Sequence, residues 1–217
     1  MHAIILAGGF GTRLANVSGG KPKPLVEVRG KPILEHQIDL LFRHGLKDIR
    51  LSLYYKAKEI ISFCENRWPG KLKFLVEPRL LGTGGAIKFA SRDLKDDFLV
   101  TNGDLLSNLD IKEFTKHDSN TIACSFVDDA RSFGLLKIKN NKVCEFLEKP
   151  KEKVSGFVNS GFYILHPRIF SSFPQEEFMI EKEVFPVLAK QGELNAYLHD
   201  DFWIDVGTEE RWREANQ

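Results

Sequence analysis

A glycine-rich segment directly after the first apolar run has the composition of a phosphate-binding loop. It reads LAGGFGTRL over residues 6–14 and follows a strand predicted over residues 2–6. Glycines let backbone N–H groups approach phosphate oxygens closely, and the guanidinium of Arg13 can bridge two such oxygens. The candidate nucleotide-binding residues of this loop are Leu6, Ala7, Gly8, Gly9, Gly11, Thr12 and Arg13.

Three better-known glycine loops do not fit this segment. A dinucleotide fingerprint would need glycine where Leu14 stands, and a Walker loop would need a Gly-Lys-Ser/Thr sequence that is absent. A kinase loop would need HRD and DFG motifs downstream, and neither occurs. Taken alone, the segment therefore predicts either a phosphate loop or a tight turn with an incidental arginine.

A second basic residue, Lys23, follows ten residues after Arg13 and lies between Pro22 and Pro24. The prolines restrict the backbone on both sides of the lysine, so its position is held rather than free. A held lysine close to a phosphate loop suits charge neutralisation at a reacting phosphate. The alternative is a solvated, proline-rich connector.

Two aspartates, Asp104 and Asp205, are candidate ligands for a divalent cation. Asp104 follows an apolar strand predicted over residues 98–101, which places it on the same rim as the glycine loop. Asp205 is the one acid in the apolar segment 202–208, where an unpaired buried charge would be costly. Mg²⁺ prefers hard oxygen ligands, usually one or two carboxylates with phosphates and water. The alternative for Asp104 is a residue in a turn, and the alternative for Asp205 is a cap for the helix that starts near Thr208.

Glu77, Gly82 and Thr83 are candidates for binding the base. They belong to the segment EPRLLGTGGA at residues 77–86, after a strand predicted over residues 72–76. Small residues allow a flat base to lie against the backbone, and the start of a helix offers free N–H groups. The carboxylate of Glu77 can accept hydrogen bonds from both N1–H and the amino group of guanine, whereas uracil and thymine offer one N–H there. This favours GTP as the substrate. The alternative is that the segment is only an acid at a strand end followed by a helix cap.

The elements that must position these residues alternate between strand and helix in the first half of the chain. The patterns predict strands over 2–6, 49–54, 72–76 and 98–101, and helices over 32–44, 57–67 and 83–94. Short strand–helix–strand connections imply parallel strands with right-handed crossovers. We therefore expect an open α/β sheet with helices on both faces.

The second half of the chain is richer in strands. The patterns predict strands over 121–127, 135–139, 142–147, 157–165 and 194–198, a hairpin turn at Asn140-Asn141, and helices over 180–190 and 209–215. This half is expected to be more antiparallel and to cover the open edge of the site. With no linker or repeat, residues 1–217 are expected to form a single domain.

Composition narrows the class of protein. A formal net charge of +1 argues against general nucleic-acid binding, and no apolar stretch approaches the length that spans a bilayer. Cys64, Cys124 and Cys144 are odd in number and far apart, which favours buried or half-buried thiols in a reducing compartment over disulfides. No signal peptide is recognisable, so we expect a cytoplasmic protein that binds neither nucleic acid nor membrane.

The glycine loop followed by Pro22-Lys23-Pro24 resembles the signature of the sugar-1-phosphate nucleotidylyltransferases. Asn-Gly-Asp ending at Asp104, Glu-Lys-Pro at 148–150, Asn-x-Gly-x-Tyr at 159–163 and Trp-Ile-Asp-Val-Gly-Thr at 203–208 resemble further motifs of that family, in the same order. The resemblance covers residues 4–207 and implies a Rossmann-like mixed α/β fold. One departure is the run at 15–20, where the family often has Pro-Leu-Thr, so the conformation of that loop is left open.

The resemblance also implies roles for individual residues. Arg13 and Lys23 would be catalytic, and Asp104 and Asp205 would hold the metal, expected to be Mg²⁺. Glu148 would contact sugar hydroxyls and Lys149 the sugar phosphate, although each motif taken alone favours a hairpin edge or turn. The implied sugar-phosphate-binding residues are Asn102, Gly103, Glu148, Lys149 and Asn159.

The implied activity is transfer of a nucleoside monophosphate, with GMP favoured, from a nucleoside triphosphate to a sugar 1-phosphate, with release of pyrophosphate. The chain most resembles the D-glycero-D-manno-heptose 1-phosphate guanylyltransferase branch. Mannose 1-phosphate guanylyltransferases and N-acetylmuramate 1-phosphate uridylyltransferases are alternatives, as is a cytidylyltransferase acting on a non-sugar phosphate. A regulator that binds nucleotide sugars without catalysis should have lost one of the four key residues, and all are present. A monomer or a small homo-oligomer is expected.

Overall fold

The computed structural model describes all residues, 1–217. The strands are β1 (His2–Leu6), β2 (Glu27–Val28), β3 (Lys31–Pro32), β4 (Ile49–Leu53), β5 (Leu72–Val76), β6 (Phe98–Asn102), β7 (Leu105–Ser107), β8 (Thr121–Val127), β9 (Gly134–Lys139), β10 (Lys142–Glu148), β11 (Gly156–Leu165), β12 (Asn195–Leu198) and β13 (Trp203–Asp205). The helices are α1 (Ala15–Ser18), α2 (Ile33–Arg43), α3 (Ala57–Arg67), α4 (Gly82–Ala90), α5 (Ile111–Phe114), α6 (Phe185–Gln191) and α7 (Glu209–Ala215).

Nine strands form one mixed sheet in the order β5-β4-β1-β6-β11-β8-β12-β10-β9. β5, β4, β1 and β6 are mutually parallel, as expected from their short helical crossovers. β11 joins the sheet antiparallel to β6 and continues it into the second half of the chain. The mixed α/β prediction is therefore confirmed, and the antiparallel half extends the sheet.

Both faces of the sheet are buried by helices. Along β1, Ala3 and Ile5 belong to one apolar core with residues of α2 and α3, while Ile4 belongs to a second core with residues of α4 and α6. Alternate side chains of a strand point to opposite faces, so this division follows directly from an apolar run covered on both sides. The prediction of helices on both faces is confirmed.

Most predicted elements agree with the structure to within a residue or two, and Asn140-Asn141 forms the predicted turn with positive φ at both residues. The helix predicted over 83–94 ends earlier, at Ala90. The helix predicted over 180–190 is divided into a π-helical turn, Ile180–Val184, and α6. Pro186 lacks an N–H and occupies the first turn of α6, where none is needed.

The three cysteines form no disulfide, as predicted. Cys64 and Cys124 are buried, but Cys144 is exposed, which corrects the expectation that all three thiols would be covered. Cys144 lies on β10, where its side chain alternates with the buried Val143. No helix has the length and apolar character needed to cross a membrane.

Candidate active site

The candidate site lies beyond the carboxyl ends of β1 and β6, where Leu6 is the register partner of Asn102. The segments that follow these strands carry the glycine loop and Asp104. They approach so closely that a Cβ at Gly103 would lie 2.0 Å from the Leu6 carbonyl oxygen. Gly103 is therefore required for packing at this rim, in addition to any ligand contact.

A cleft of about 470 Å³ opens at this rim. It brings together every residue predicted to bind nucleotide, and also Asn102, Gly103 and Asp104. The other residues that line it are Phe10, Pro24, Leu80, Ala86, Met179 and Gly207. Glycine N–H groups, one arginine and one lysine in a single cleft form a setting that suits a polyphosphate.

The glycines of the loop have different roles. A Cβ at Gly8 would lie 3.0 Å from Glu77 Oε1, and a Cβ at Gly11 would lie 2.7 Å from the Lys23 Cβ. Gly11 also has a φ of +66°, which favours glycine. Only Gly9 has no atom within 4 Å of the place where a Cβ would be. Gly9 is thus the loop position most open to a phosphate, whereas Gly8 and Gly11 serve packing.

Lys23 begins a 3₁₀ turn, Lys23–Leu25, and its ammonium group donates to Asp104 Oδ2 over 2.5 Å. Both side chains are mostly covered, with 14% and 25% of their surfaces exposed. Burial alone would raise the pKa of Asp104, but the charge and hydrogen bond of Lys23, helped by Arg13, lower it below its usual range. The predicted cation and the predicted metal ligand therefore form one ion pair at the floor of the cleft.

Antiparallel pairing of the short strands β13 and β7 brings Asp205 close to Asp104. Asp205 is the register partner of Leu105, and the Val206 N–H donates to the Asp104 carbonyl oxygen over 2.8 Å. Thr208 itself caps α7 by accepting from the Arg211 N–H, so the alternative of Asp205 as a helix cap is excluded.

The two carboxylates fit a divalent cation. Asp205 Oδ1 is buried and has no hydrogen-bond partner, and burial together with the charge of Asp104 raises the pKa of Asp205. Two neighbouring acids, one with an unpaired oxygen, are the donor set that Mg²⁺ uses when phosphates supply the remaining ligands. No cluster of three or more potential ligand side chains exists that would form an all-protein cage.

Glu77 is buried at the end of β5, with 5% of its surface exposed. Ser52 donates to its Oε1 over 3.0 Å and the Leu81 N–H donates to its Oε2 over 3.1 Å. Burial raises the pKa of Glu77, and these two hydrogen bonds, which lower it, offset only part of the increase. Each carboxylate oxygen keeps capacity for one more donor, so the reading of guanine by Glu77 stays a prediction.

The glycines at the start of α4 face another part of the protein. The segment 176–180 crosses over them, and Cβ atoms at Gly82, Gly84 and Gly85 would lie 2.6, 2.3 and 2.1 Å from its atoms. Backbone bonds from Gly84 and Gly85 to the Phe178 carbonyl oxygen secure the crossing. These glycines therefore permit a close crossing of two segments. Gly82 and Thr83 also line the cleft, so the predicted contact of this stretch with a base stays a prediction.

A second, smaller cavity of about 150 Å³ adjoins the cleft and shares Arg13, Asn102 and Asp104 with it. It brings together Asp205 and the predicted sugar-phosphate-binding residues Glu148, Lys149 and Asn159. A register shift between Asn159 and Tyr163 interrupts the pairing of β11 with β8 at this point. The Asn159 side chain is fixed by bonds to the Gly161 N–H and the Tyr163 hydroxyl.

Lys149 adopts a φ of +49°, which is rare for a residue with a side chain. Its N–H donates to the Phe133 carbonyl oxygen, and its ammonium group lies 3.2 Å from Glu148 Oε1. Backbone strain of this kind concentrates at binding sites, where the surrounding structure enforces it.

Several residues that line the site were not among the predicted site residues, and they include Met179 in the cleft and Phe133, Glu181 and Trp203 in the second cavity. Glu181 is buried and its Oε2 accepts from Thr83 Oγ1 over 2.5 Å, which links the two cavities. Burial, the largest cause, raises the pKa of Glu181. The glycine run 82–85 was the available signal for a close crossing, although it did not identify the partner segment.

Comparison with known proteins identifies the family of the chain. Residues 2–217 match the family model described as Nucleotidyl transferase. A mannose-1-phosphate guanyltransferase of Aspergillus oryzae is 37% identical over 221 residues, covering 95% of this chain and 61% of that protein. Its counterpart in Saccharomyces cerevisiae is 35% identical with the same coverage. The chain thus spans 61% of the length of these relatives.

Solved structures match over almost the whole chain. HddC from Yersinia pseudotuberculosis, complexed with GMP-PN, superposes with a TM-score of 0.86 at 38% identity, covering 99% of this chain and 97% of that one. A putative glucose-1-phosphate thymidylyltransferase from Bacillus anthracis, in complex with sucrose, gives a TM-score of 0.86 at 26% identity, covering 100% and 94%. With the family model matching residues 2–217, this chain belongs to the nucleotidyl transferase family.

Proposed function

We propose that this protein transfers GMP from GTP to a sugar 1-phosphate of mannose or heptose type, forming a GDP-sugar and pyrophosphate. The observation that carries the proposal is the meeting of two cavities at Asp104, one with a phosphate loop and one with polar sugar-binding candidates. Support for guanine comes from the relatives described as mannose-1-phosphate guanyltransferases and from the structure that contains GMP-PN.

In the proposed reaction, an oxygen of the sugar 1-phosphate attacks the α-phosphorus of GTP, and the bond from that phosphorus to the pyrophosphate oxygen breaks. The attacking phosphate is already ionised, so the step needs positioning and charge stabilisation rather than a general base. Arg13 and the N–H groups of the glycine loop hold the departing phosphates. Lys23, released from Asp104 as substrate charge enters the cleft, stabilises the α-phosphate.

Asp104 and Asp205 are proposed to hold a divalent cation, expected to be Mg²⁺, which when bound neutralises charge on the phosphates. Their adjacent carboxylates and the unpaired Oδ1 of Asp205 support this role. Glu148 and Asn159 are proposed to bind sugar hydroxyls, and Lys149 the sugar phosphate. We also propose that residues 1–217 act as one domain, because the same sheet carries both apolar cores.

Pyrophosphate release with each of four nucleoside triphosphates, against a panel of sugar 1-phosphates, tests the proposal. We expect GTP with mannose or heptose 1-phosphate to be preferred by at least about tenfold, a difference of about 1.4 kcal/mol. A preference for UTP with N-acetylmuramate 1-phosphate would replace the substrates but keep the reaction. Release with CTP and a non-sugar phosphate would contradict the sugar assignment. No release with any pair, from a protein that still binds a nucleotide sugar, would indicate a regulator.

A further inference from the structure

Arg211 lies on the C-terminal helix α7 and lines neither cavity, yet it contacts a proposed metal ligand. Its Nη1 donates to Asp205 Oδ2 over 2.9 Å, and the two side chains are only 20% and 19% exposed. Because Arg211 does not line the space where substrates would lie, it acts on the site through the residues that it contacts, and Asp205 is the proposed metal ligand among them.

The guanidinium of Arg211 is held from several directions. The backbone N–H of Arg211 donates to Thr208 Oγ1, which fixes the start of α7. The guanidinium lies over the ring of Phe133 at 4.5 Å, and that ring meets Trp203 edge to face at 5.2 Å. A planar cation stacked on an aromatic ring and bonded to a carboxylate has little freedom to reorient.

The Arg211 bond also determines which oxygen of Asp205 is free. Arg211 occupies Oδ2, and Oδ1 is buried without a partner. Asp104 similarly uses its Oδ2 to bind Lys23. An unpaired buried carboxylate oxygen is unfavourable unless the surrounding structure enforces it or a cation satisfies it.

We propose that Arg211 is a positioning residue that fixes the Asp205 carboxylate so that Oδ1 stays free for a cation shared with Asp104. The inference rests on the proposed function only in assigning a divalent cation to these two aspartates. Partners of metal ligands typically contribute about 10- to 100-fold in metal affinity. Loss of the Arg211 bond lets the carboxylate rotate and should weaken cation binding by about tenfold or more.

The test is titration of the nucleotide-free protein with MnCl₂, with free Mn²⁺ measured by electron paramagnetic resonance. We expect Arg211→Ala to raise the Kd for Mn²⁺ by about tenfold or more, and Arg211→Lys to restore part of the affinity. Arg213→Ala is the matched control on the same helix, because Arg213 pairs with Glu209 on an exposed face. It should bind Mn²⁺ as the unmodified protein does, and melting temperatures should be measured beside each titration.

Three outcomes would overturn the inference. Unchanged Mn²⁺ affinity in Arg211→Ala would show that Asp205 needs no positioning. Tighter binding would show that the arginine only neutralises the carboxylate in competition with the cation. Equal weakening by Arg213→Ala would point to a general effect of the helix. If Arg211→Ala fails to fold, partial weakening of Mn²⁺ binding in Arg211→Lys supports the inference, and an affinity equal to that of the unmodified protein contradicts it. An unmodified protein that binds Mn²⁺ but releases no pyrophosphate would refute the proposed function alone.

Discussion

Replacing Gly85 by alanine tests the crossing that joins the two cavities. The new Cβ would lie 2.1 Å from the Glu176 carbonyl oxygen, where ordinary contact begins at 3.4 Å, so segment 176–180 must retreat by about 1.3 Å. Such a shift strains the backbone bonds from Gly84 and Gly85 to the Phe178 carbonyl oxygen. Overpacking costs about 1–3 kcal/mol, and a clash of this size with backbone belongs to the upper part of that range, about 2–3 kcal/mol; the better helix propensity of alanine offsets about 1 kcal/mol of it.

We therefore expect Gly85→Ala to lower the free energy of unfolding by about 1–2 kcal/mol and Tm by about 2–8 °C, measured by circular dichroism. Gly9→Ala is the comparison, because no atom lies within 4 Å of its Cβ position. It should leave Tm within about 1 °C, since nothing obstructs the added methyl group, while weakening GTP binding in a calorimetric titration. An unchanged Tm for Gly85→Ala, or equal destabilisation by Gly9→Ala, would refute the reasoning.

Three further predictions follow from the ion pairs and cavities. Lys23→Ala should lower kcat for pyrophosphate release by about 10²-fold, because it removes charge stabilisation at the α-phosphate; near-normal turnover would contradict that role. Glu148→Gln should raise KM for the sugar 1-phosphate by about tenfold and leave KM for GTP unchanged, and the reverse pattern would place Glu148 elsewhere. Hydrogen bonds from Arg50 and Lys73 lower the pKa of Asp93, so its stabilisation is present above pH about 4 and is lost on further acidification. Asp93→Asn should lower the free energy of unfolding by at most about 1 kcal/mol at pH 7, since Asp93 is half exposed. In urea denaturation below pH about 4, its free energy of unfolding should fall less steeply with acidification than that of the unmodified protein. The same pH dependence in both proteins would contradict this.

The sequence predicted the parallel half of the sheet almost to the residue. β1, β5 and α3 have the predicted bounds, because apolar runs of five residues and a helical apolar spacing are local signals. The three-residue strands β7 and β13 were not predicted as a pair. Each is too short for periodicity to show, and each exists because it pairs with the other across almost a hundred residues.

The candidate site was predictable as a set of residues, but its internal contacts were not. Lys23 and Asp104 were assigned separate roles, and their ion pair depends on the tertiary packing of loops 81 residues apart. Met179 and Glu181 lie in a segment without a recognisable motif, and they reach the site because glycines of α4 let that segment cross. Close approach can be inferred from a glycine run, whereas its partner requires the three-dimensional structure.

Labelled GTP tests directly whether the protein transfers the α-phosphorus. The purified protein would be incubated with Mg²⁺, mannose 1-phosphate and GTP carrying ³²P at either the α or the γ position. With nucleotidyl transfer, we expect α-label in a GDP-sugar and γ-label in pyrophosphate, in equal amounts. Release of γ-label as inorganic phosphate, or α-label recovered only in GDP and GTP, would contradict nucleotidyl transfer.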